Sequence, residues 1–171
     1  IILLLMLFSM TAGTIITLIS SHWLTAWIGL ELNTLSIIPI ITKYHHPRST
    51  EATTKYFLTQ AAASAMLLFA ATTNAWYTGT WEICQMTNQH ACTMLTIALS
   101  MKLGLAPLHF WLPEVLQGTS LNTALIITTW QKLAPMALLY ISHNLLNPMI
   151  LLTTGLLSIL VGGWGGLNQT Q

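Results

Sequence analysis

Runs of about twenty apolar residues recur along the chain, each closed by a short polar stretch. That spacing suits helices crossing a bilayer, because a rise of about 1.5 Å per residue needs about 20 residues to span the hydrocarbon core. The first span is expected from about Ile1 to Ser20 and the second from about His22 to Thr42. The polar link KYHHPRSTEATTK follows, with Pro47 as the break, and a third helix is expected from about Thr50 to Trp76. Ser49 or Thr50 would cap it, with Glu51 in the first turn, where a carboxylate suits the helix dipole. Residues 77–91 are polar and read as a loop.

A fourth apolar stretch begins near Cys92 and does not end cleanly. It reads CTMLTIALSMKLGLAPLHFWLPEVLQG, with Gly104, Pro107 and Pro113 inside it. Proline removes a backbone donor and clashes with the preceding turn, so this span should break near Gly104 to Pro107 and resume as a shorter helix to about Gln117. Broken backbone at membrane depth persists only where protein or a wet cavity satisfies it. A fifth helix is expected from about Ser120 to Ser142, kinked at Pro135, and a sixth from Pro148 to about Gly166. The chain reads as an all-α polytopic membrane protein of about six transmembrane helices, one of them broken. With no linker or low-complexity run, residues 1–171 form a single membrane domain.

Composition supports the bilayer as solvent. Hydrophobic residues make up 54% of the chain, charged residues 5%, and mean hydropathy is +0.67. A soluble domain carries roughly 25% charged residues. A formal net charge of +1 with no basic run gives no basis for nucleic-acid binding. Ile1 to Ile19 lacks the basic start and the small-residue cleavage pattern of a signal peptide, so it reads as a true span. The chain starts inside an apolar run and stops after a polar turn, as a piece shortened at both ends would. Lys43, Arg48 and Lys55 put residues 43–55, and with them the N-terminus, on the inner side by the positive-inside tendency. Cys84 and Cys92 read as ordinary unpaired thiols, a disulfide being the lesser alternative. Trp23, Trp76, Trp81 and Trp164 fall near span ends, where tryptophan anchors the interface.

Against this background Glu31, Lys102 and Lys132 stand out, each near the middle of a different apolar stretch. A charge at the centre of a span costs on the order of 2.5–3.5 kcal/mol, so it calls for a partner, a wet cavity or a task. An acid and two bases at similar depth point to a proton or ion path. Glu31 is either a carboxylate that exchanges a proton or one member of a structural ion pair. Lys102 sits one turn before the expected break, where freed carbonyls and amides can bind water or an ion, as in discontinuous transporter helices. Its affinity for a proton is set by its surroundings. Lys132 follows the same logic, although Trp130 and Gln131 beside it could hold it by local packing.

His109 follows the break and suits a proton relay, or simply a hydrogen bond to a carbonyl. Glu114 is an acid at a cavity mouth or, more simply, a solvated end group. His45 and His46 lack a third ligand at metal spacing, so no metal site is expected; His22, His90 and His143 fall at helix ends. No phosphate loop, nucleophile set or haem-type histidine pair can be read.

Several stretches carry a family resemblance: SSHWLTAWIGLELN at 20–33, PRSTEATTKYFLTQA at 47–61, MKLGLAPLHFWLPEVLQG at 101–118, TTWQKLAPM at 128–136 and GGWGGLNQTQ at 162–171. Together they resemble the NADH dehydrogenase (ubiquinone) subunit 2 family of mitochondrial respiratory complex I, in its vertebrate form and over the N-terminal half only. The resemblance implies the antiporter-like fold of that family, with inverted five-helix repeats that each contain a broken helix. Residues 1–145 would then be the first repeat and residues 146–171 the start of a second. It maps Glu31 onto the glutamate that pairs with the broken-helix lysine, which falls on Lys102. Lys132 falls on the lysine that links towards the central hydrophilic axis.

The function so implied is that of a core membrane subunit of proton-pumping NADH:ubiquinone oxidoreductase, an enzyme of the inner mitochondrial membrane, with the N-terminus on the matrix side. The chain would hold no cofactor; NADH, FMN, iron–sulfur clusters and ubiquinone would lie in other subunits. Its partners would be lipid and other membrane subunits, neighbouring antiporter-like ones included, and its only substrate would be protons. Two rivals remain: a stand-alone cation/proton antiporter, and a structural membrane anchor of a respiratory complex.

Overall fold

The computed structural model describes residues 2–168, and the regular elements among them are helices. Ile1, at the expected start of the first span, and the tail at 169–171 lie outside the described residues. In chain order the helices are α1 (Ile2–Ile19), α2 (Trp23–Ile41), α3 (Pro47–Thr78), α4 (Gln89–Leu103), α5 (Trp111–Gln117), α6 (Leu121–Thr128), α7 (Trp130–Ile141) and α8 (Pro148–Leu167). Five helical runs are long and apolar enough to cross a membrane: α1, α2, α3, α6 with α7, and α8. The fourth expected span is the broken one, divided between α4 and α5.

Capping chemistry moves two expected starts. Helix α3 begins at Pro47 rather than Thr50, and its cap is His46, whose Nδ1 accepts from the Arg48 N–H at 3.3 Å. Neither Ser49 nor Thr50 caps it, and Glu51 lies beyond the first turn. Proline is suited to the first helical position, where its missing N–H has no helical partner in any case. At its other end α3 stops on Gly79, whose φ of 72° suits a residue without Cβ. The helix has 32 residues, about 48 Å long, so it overhangs a hydrocarbon core of about 30 Å. Helix α4 begins at Gln89 instead of Cys92, because the Asn88 side chain accepts from the His90 N–H at 3.1 Å.

The fifth span is interrupted at Thr129, whereas the kink was expected at Pro135, which α7 passes through without a break. The Thr129 hydroxyl donates to the Leu125 carbonyl at 2.6 Å, in competition with the backbone N–H of the same residue at 3.0 Å. Back-bonding of this kind often bends a helix, although the same four-residue bond at Thr59 and Thr154 leaves α3 and α8 unbroken. Past it, the Lys132 N–H reaches only three residues back, to Thr129 O at 3.3 Å.

Trp76 and Trp164 are exposed, as anchors at span ends should be, but Trp23 is wholly buried. The loop after α3 folds back over the α1–α2 turn and covers it: Trp23 N–H donates to Trp81 O, and Ile83 N–H donates to Ser21 O, both at 3.0 Å. Cys84 and Cys92 are free thiols. Helices α1 and α2 meet so closely at Gly13 and Gly29 that a Cβ on Gly29 would lie 2.9 Å from the Gly13 carbonyl oxygen.

Two apolar clusters fill the interior. One gathers Trp23, Leu30, Leu67, Leu95, Leu99 and Leu138; the other gathers Ile37, Ile41, Tyr56, Trp111, Val115 and Ile127. Along α2, Leu30 belongs to the first and Ile37 to the second, with Asn33 and Thr34 buried between them. Along α3 the interval from Tyr56 to Leu67 holds Gln60 and Ser64. From Ile127 in α6 to Leu138 in α7 the interval holds Gln131 and Lys132. The seam between the two cores is therefore polar on every one of these segments, and α4 ends beside it with Lys102.

Candidate functional site

A break in a helix frees carbonyls, and the residues around Gly104 satisfy them. Gly104 adopts φ 73°, a left-handed conformation that costs a non-glycine residue roughly 1–2 kcal/mol. Its N–H donates to Met101 O at 3.2 Å, and the Leu105 N–H donates to Ser100 O at 3.0 Å. The Trp111 indole reaches back from α5 to donate to the same Met101 carbonyl at 3.2 Å. The break is thus closed by protein on one side. Lys102, two residues before Gly104, is left pointing into the polar seam.

Lys102 is 4% exposed, and among the described residues its Nζ has no hydrogen-bond partner. It lines a narrow cavity with Asn33, Tyr56, Gln60, Gln131 and Lys132, to whose wall Leu30 from one core and Trp111 and Ile127 from the other also contribute. The cavity is small, with room for about one water. Buried polar groups nearly always have partners. An amine without one, beside a space of water size, is built to exchange partners.

Glu31 lies on α2 beside this cavity but outside its wall. Its charge acts on both Lys102 and Tyr56, so it belongs to the same electrostatic unit. One carboxylate oxygen of Glu31 is buried without a hydrogen bond. The direct pairing of Glu31 with Lys102 implied by the resemblance is not formed: among the described residues the ion pairs within 4 Å join Lys55 to Glu51 and to Glu114. Lys102 and Lys132 do share one cavity, from α4 and α7 respectively.

The remaining candidates lie elsewhere. His109 is partly buried on the break itself, with Nδ1 unpartnered and its ring 4.5 Å from that of Phe110, but it does not reach the cavity. Glu114 is exposed and bound at 2.9 Å to Lys55, as a solvated end group would be. Among the described residues no group of three or more His, Cys, Asp or Glu could hold a metal ion.

Four residues of the wall are not among the candidates that charge alone selects: Asn33, Tyr56, Gln60 and Gln131. Tyr56 O–H donates to Gln131 Oε1 at 3.3 Å. Gln131 Nε2 donates to Asn33 O at 3.1 Å and to Asn33 Oδ1 at 3.3 Å. The signal for two of them is periodic: Ser49, Thr53, Tyr56, Gln60 and Ser64 recur at three- and four-residue steps, which puts them on one inward face of α3.

Residues 20–171 match the family described as NADH:quinone oxidoreductase/Mrp antiporter, transmembrane. The chain belongs to that family. NADH-ubiquinone oxidoreductase chain 2 of Oncorhynchus mykiss is 62% identical over 99% of this chain and 49% of its own length. That of Xenopus laevis is 63% identical over 95% of this chain and 47% of its own. The chain therefore spans about half the length of the curated relatives it matches. Among solved structures, a chain of respiratory complex I from Thermus thermophilus superposes with a TM-score of 0.88 at 28% identity, covering 98% of this chain and 40% of that one. A chain of the Mrp complex from Dietzia sp. superposes with a TM-score of 0.68 at 18% identity, over 78% of this chain and 28% of that one, and shares the fold. The antiporter-like membrane fold and the multi-pass character both follow from these matches and from the helices themselves.

Proposed function

We propose that this chain belongs to a core membrane subunit of a proton-pumping NADH:ubiquinone oxidoreductase and supplies a buried Glu/Lys segment of its proton path. The names and coverage of its relatives support the assembly. The observation that carries the chemistry is the Lys102 amine, buried without a partner in a water-sized cavity that it shares with Lys132. In this reading the enzyme's redox chemistry, with NADH, FMN, iron–sulfur clusters and ubiquinone, belongs to other subunits, and the neighbours are other membrane subunits, antiporter-like ones among them. The setting is the inner mitochondrial membrane with the N-terminus on the matrix side. Residues 1–145 form one antiporter-like repeat, and residues 146–171 open the next.

The mechanism is electrostatic. Charges a few ångströms apart in a low-dielectric interior interact far more strongly than in water. A proton gained or lost at Glu31 changes the energy of a proton on Lys102, and Lys102 acts in turn on Lys132 across the cavity. Because Glu31 and Lys102 are not locked in an ion pair, neither has to break a strong contact before responding. Water held in the cavity that both lysines line would be the carrier of a proton between them. His109 stands as a relay at the break, outside the cavity wall, and Glu114 contributes weakly at the surface.

The test is Lys102→Met in the assembled complex, reconstituted in sealed vesicles. The expected result is normal assembly with proton pumping lost. Pumping per electron at the level of the unaltered complex would overturn the reading.

A further inference from the structure

The three-way contact of Asn33, Tyr56 and Gln131 ties α2, α3 and α7 together at the depth of the two lysines. Gln131 is its hub, with its oxygen accepting from Tyr56 and its nitrogen donating twice to Asn33. Glu31 sits two residues before one anchor on α2, and Lys132 directly follows the hub on α7. Among the described residues the first turn of α7 makes no other side-chain hydrogen bond to a neighbouring helix, and buried packing begins only at Ala134. The helix is interrupted at Thr129, Lys132 N–H makes only a three-residue bond, and both Trp130 and Leu133 face outward. We propose that Gln131 is a positioning residue: its side-chain amide clamps the start of α7 onto α2 and α3 and so keeps Lys132 in the same cavity as Lys102.

An amide is suited to this task. It carries a donor and an acceptor but neither gains nor loses a proton near neutral pH, so it fixes geometry without joining the proton traffic. With the clamp gone, no side-chain hydrogen bond among the described residues joins the first turn of α7 to α2 or α3, so packing alone opposes its rotation towards lipid and the shared cavity loosens. The inference rests on the function proposed above and adds a residue that carries no charge.

The experiment compares Gln131→Leu, Gln131→Glu and Lys102→Met in the complete complex, each measured for assembled amount and for protons pumped per electron across a range of pH. Gln131→Leu is expected to assemble and to pump several-fold fewer protons per electron at every pH. In Gln131→Glu the protonated carboxyl can still donate to Asn33 while accepting from Tyr56, whereas the ionised form cannot. Pumping should therefore recover at acid pH and fall as pH rises, in a setting where Lys102, Lys132, Tyr56 and Glu31 are the titratable neighbours. Normal pumping per electron by assembled Gln131→Leu would overturn the proposal, leaving Gln131 a packing residue. If that variant fails to assemble, Tyr56→Phe, which removes a single hydroxyl from the clamp, decides: a partial loss supports the proposal and an unchanged yield overturns it. Lys102→Met separates the two claims, since normal pumping there would overturn the functional reading itself.

Discussion

Lys102 and Lys55 are the same residue type in opposite circumstances. Lys55 holds two carboxylates, Glu51 at 2.7 Å and Glu114 at 2.9 Å, and all three side chains are substantially exposed. Lys102 is buried in the polar seam between the two cores, and its amine has no hydrogen-bond partner among the described residues. A design aimed at stability alone would reverse this, because a solvated ammonium needs no partner and a buried one does. The exposed pairs join the start of α3 to α5 and hold the far end of the broken segment. The buried amine leaves a need unmet, and it sits beside a space of water size. At this depth the informative residue is the charge without a partner.

The sharpest way to break the comparison is at Lys102. Methionine has a similar length and no donor, so Lys102→Met should stabilise the folded chain while it abolishes pumping. Relieving one buried unsatisfied donor is worth about 1–3 kcal/mol. Opposed signs of stability and activity at one position are the mark of a site kept for function. Denaturation of the variant and wild-type complexes in mild detergent would show it. A less stable variant would mean that Lys102 has a structural partner after all.

A smaller effect is expected at the break. Gly104→Ala forces a left-handed φ of 73° on a residue with a side chain, and its Cβ would lie 3.2 Å from Leu112 Cδ1 and 3.4 Å from Trp111 Cζ2. The backbone alone costs roughly 1–2 kcal/mol. Part of the strain is expected to be relieved by shifting Trp111 off the Met101 carbonyl, which moves the end of α4 that carries Lys102. Reduced thermal stability together with partly lost pumping would be the outcome. Full pumping at reduced stability would separate the geometry of the break from the proton path.

Much of this arrangement is legible in the residues, and what is not has physical causes. The break near Gly104 follows from Gly104 and Pro107, since both conflict with a continuing helix. Lys102 and Lys132 stand out because charge is so scarce here. The interruption at Thr129 is hidden, because a threonine in an apolar run usually returns its hydroxyl to its own helix and leaves it intact, as Thr17 and Thr34 do here. Trp23 misleads for another reason: its sequence position is a helix end, and it is buried only because the 79–88 loop folds over it and joins it to the core of α3 and α4. The lack of a Glu31–Lys102 ion pair is equally invisible, since the depth of a residue says nothing of its rotation about the helix axis. Asn33 falls in the inward stripe of α2 with Ala26, Leu30, Ile37 and Ile40, and Gln131 is in step with Ile127, Ala134 and Leu138, but a lone amide in an apolar stripe gains its meaning only when α2 and α7 meet.

The mildest test falls on the paired lysine. Glu114→Gln removes one of the two carboxylates at Lys55 and leaves Glu51 in place, and all three groups lie within reach of water and salt. At physiological ionic strength charges separated by more than about 8 Å are largely screened, so little of this change can reach the buried lysines. Pumping per electron should be unchanged, and the shift in thermal stability should be smaller than for Gly104→Ala and should fade further as salt is raised. A loss of pumping like that of Lys102→Met would erase the distinction drawn between the two lysines. It would make the exposed cluster an entrance to the proton path, with Lys55 and its two acids as the first groups a proton meets on its way to the seam.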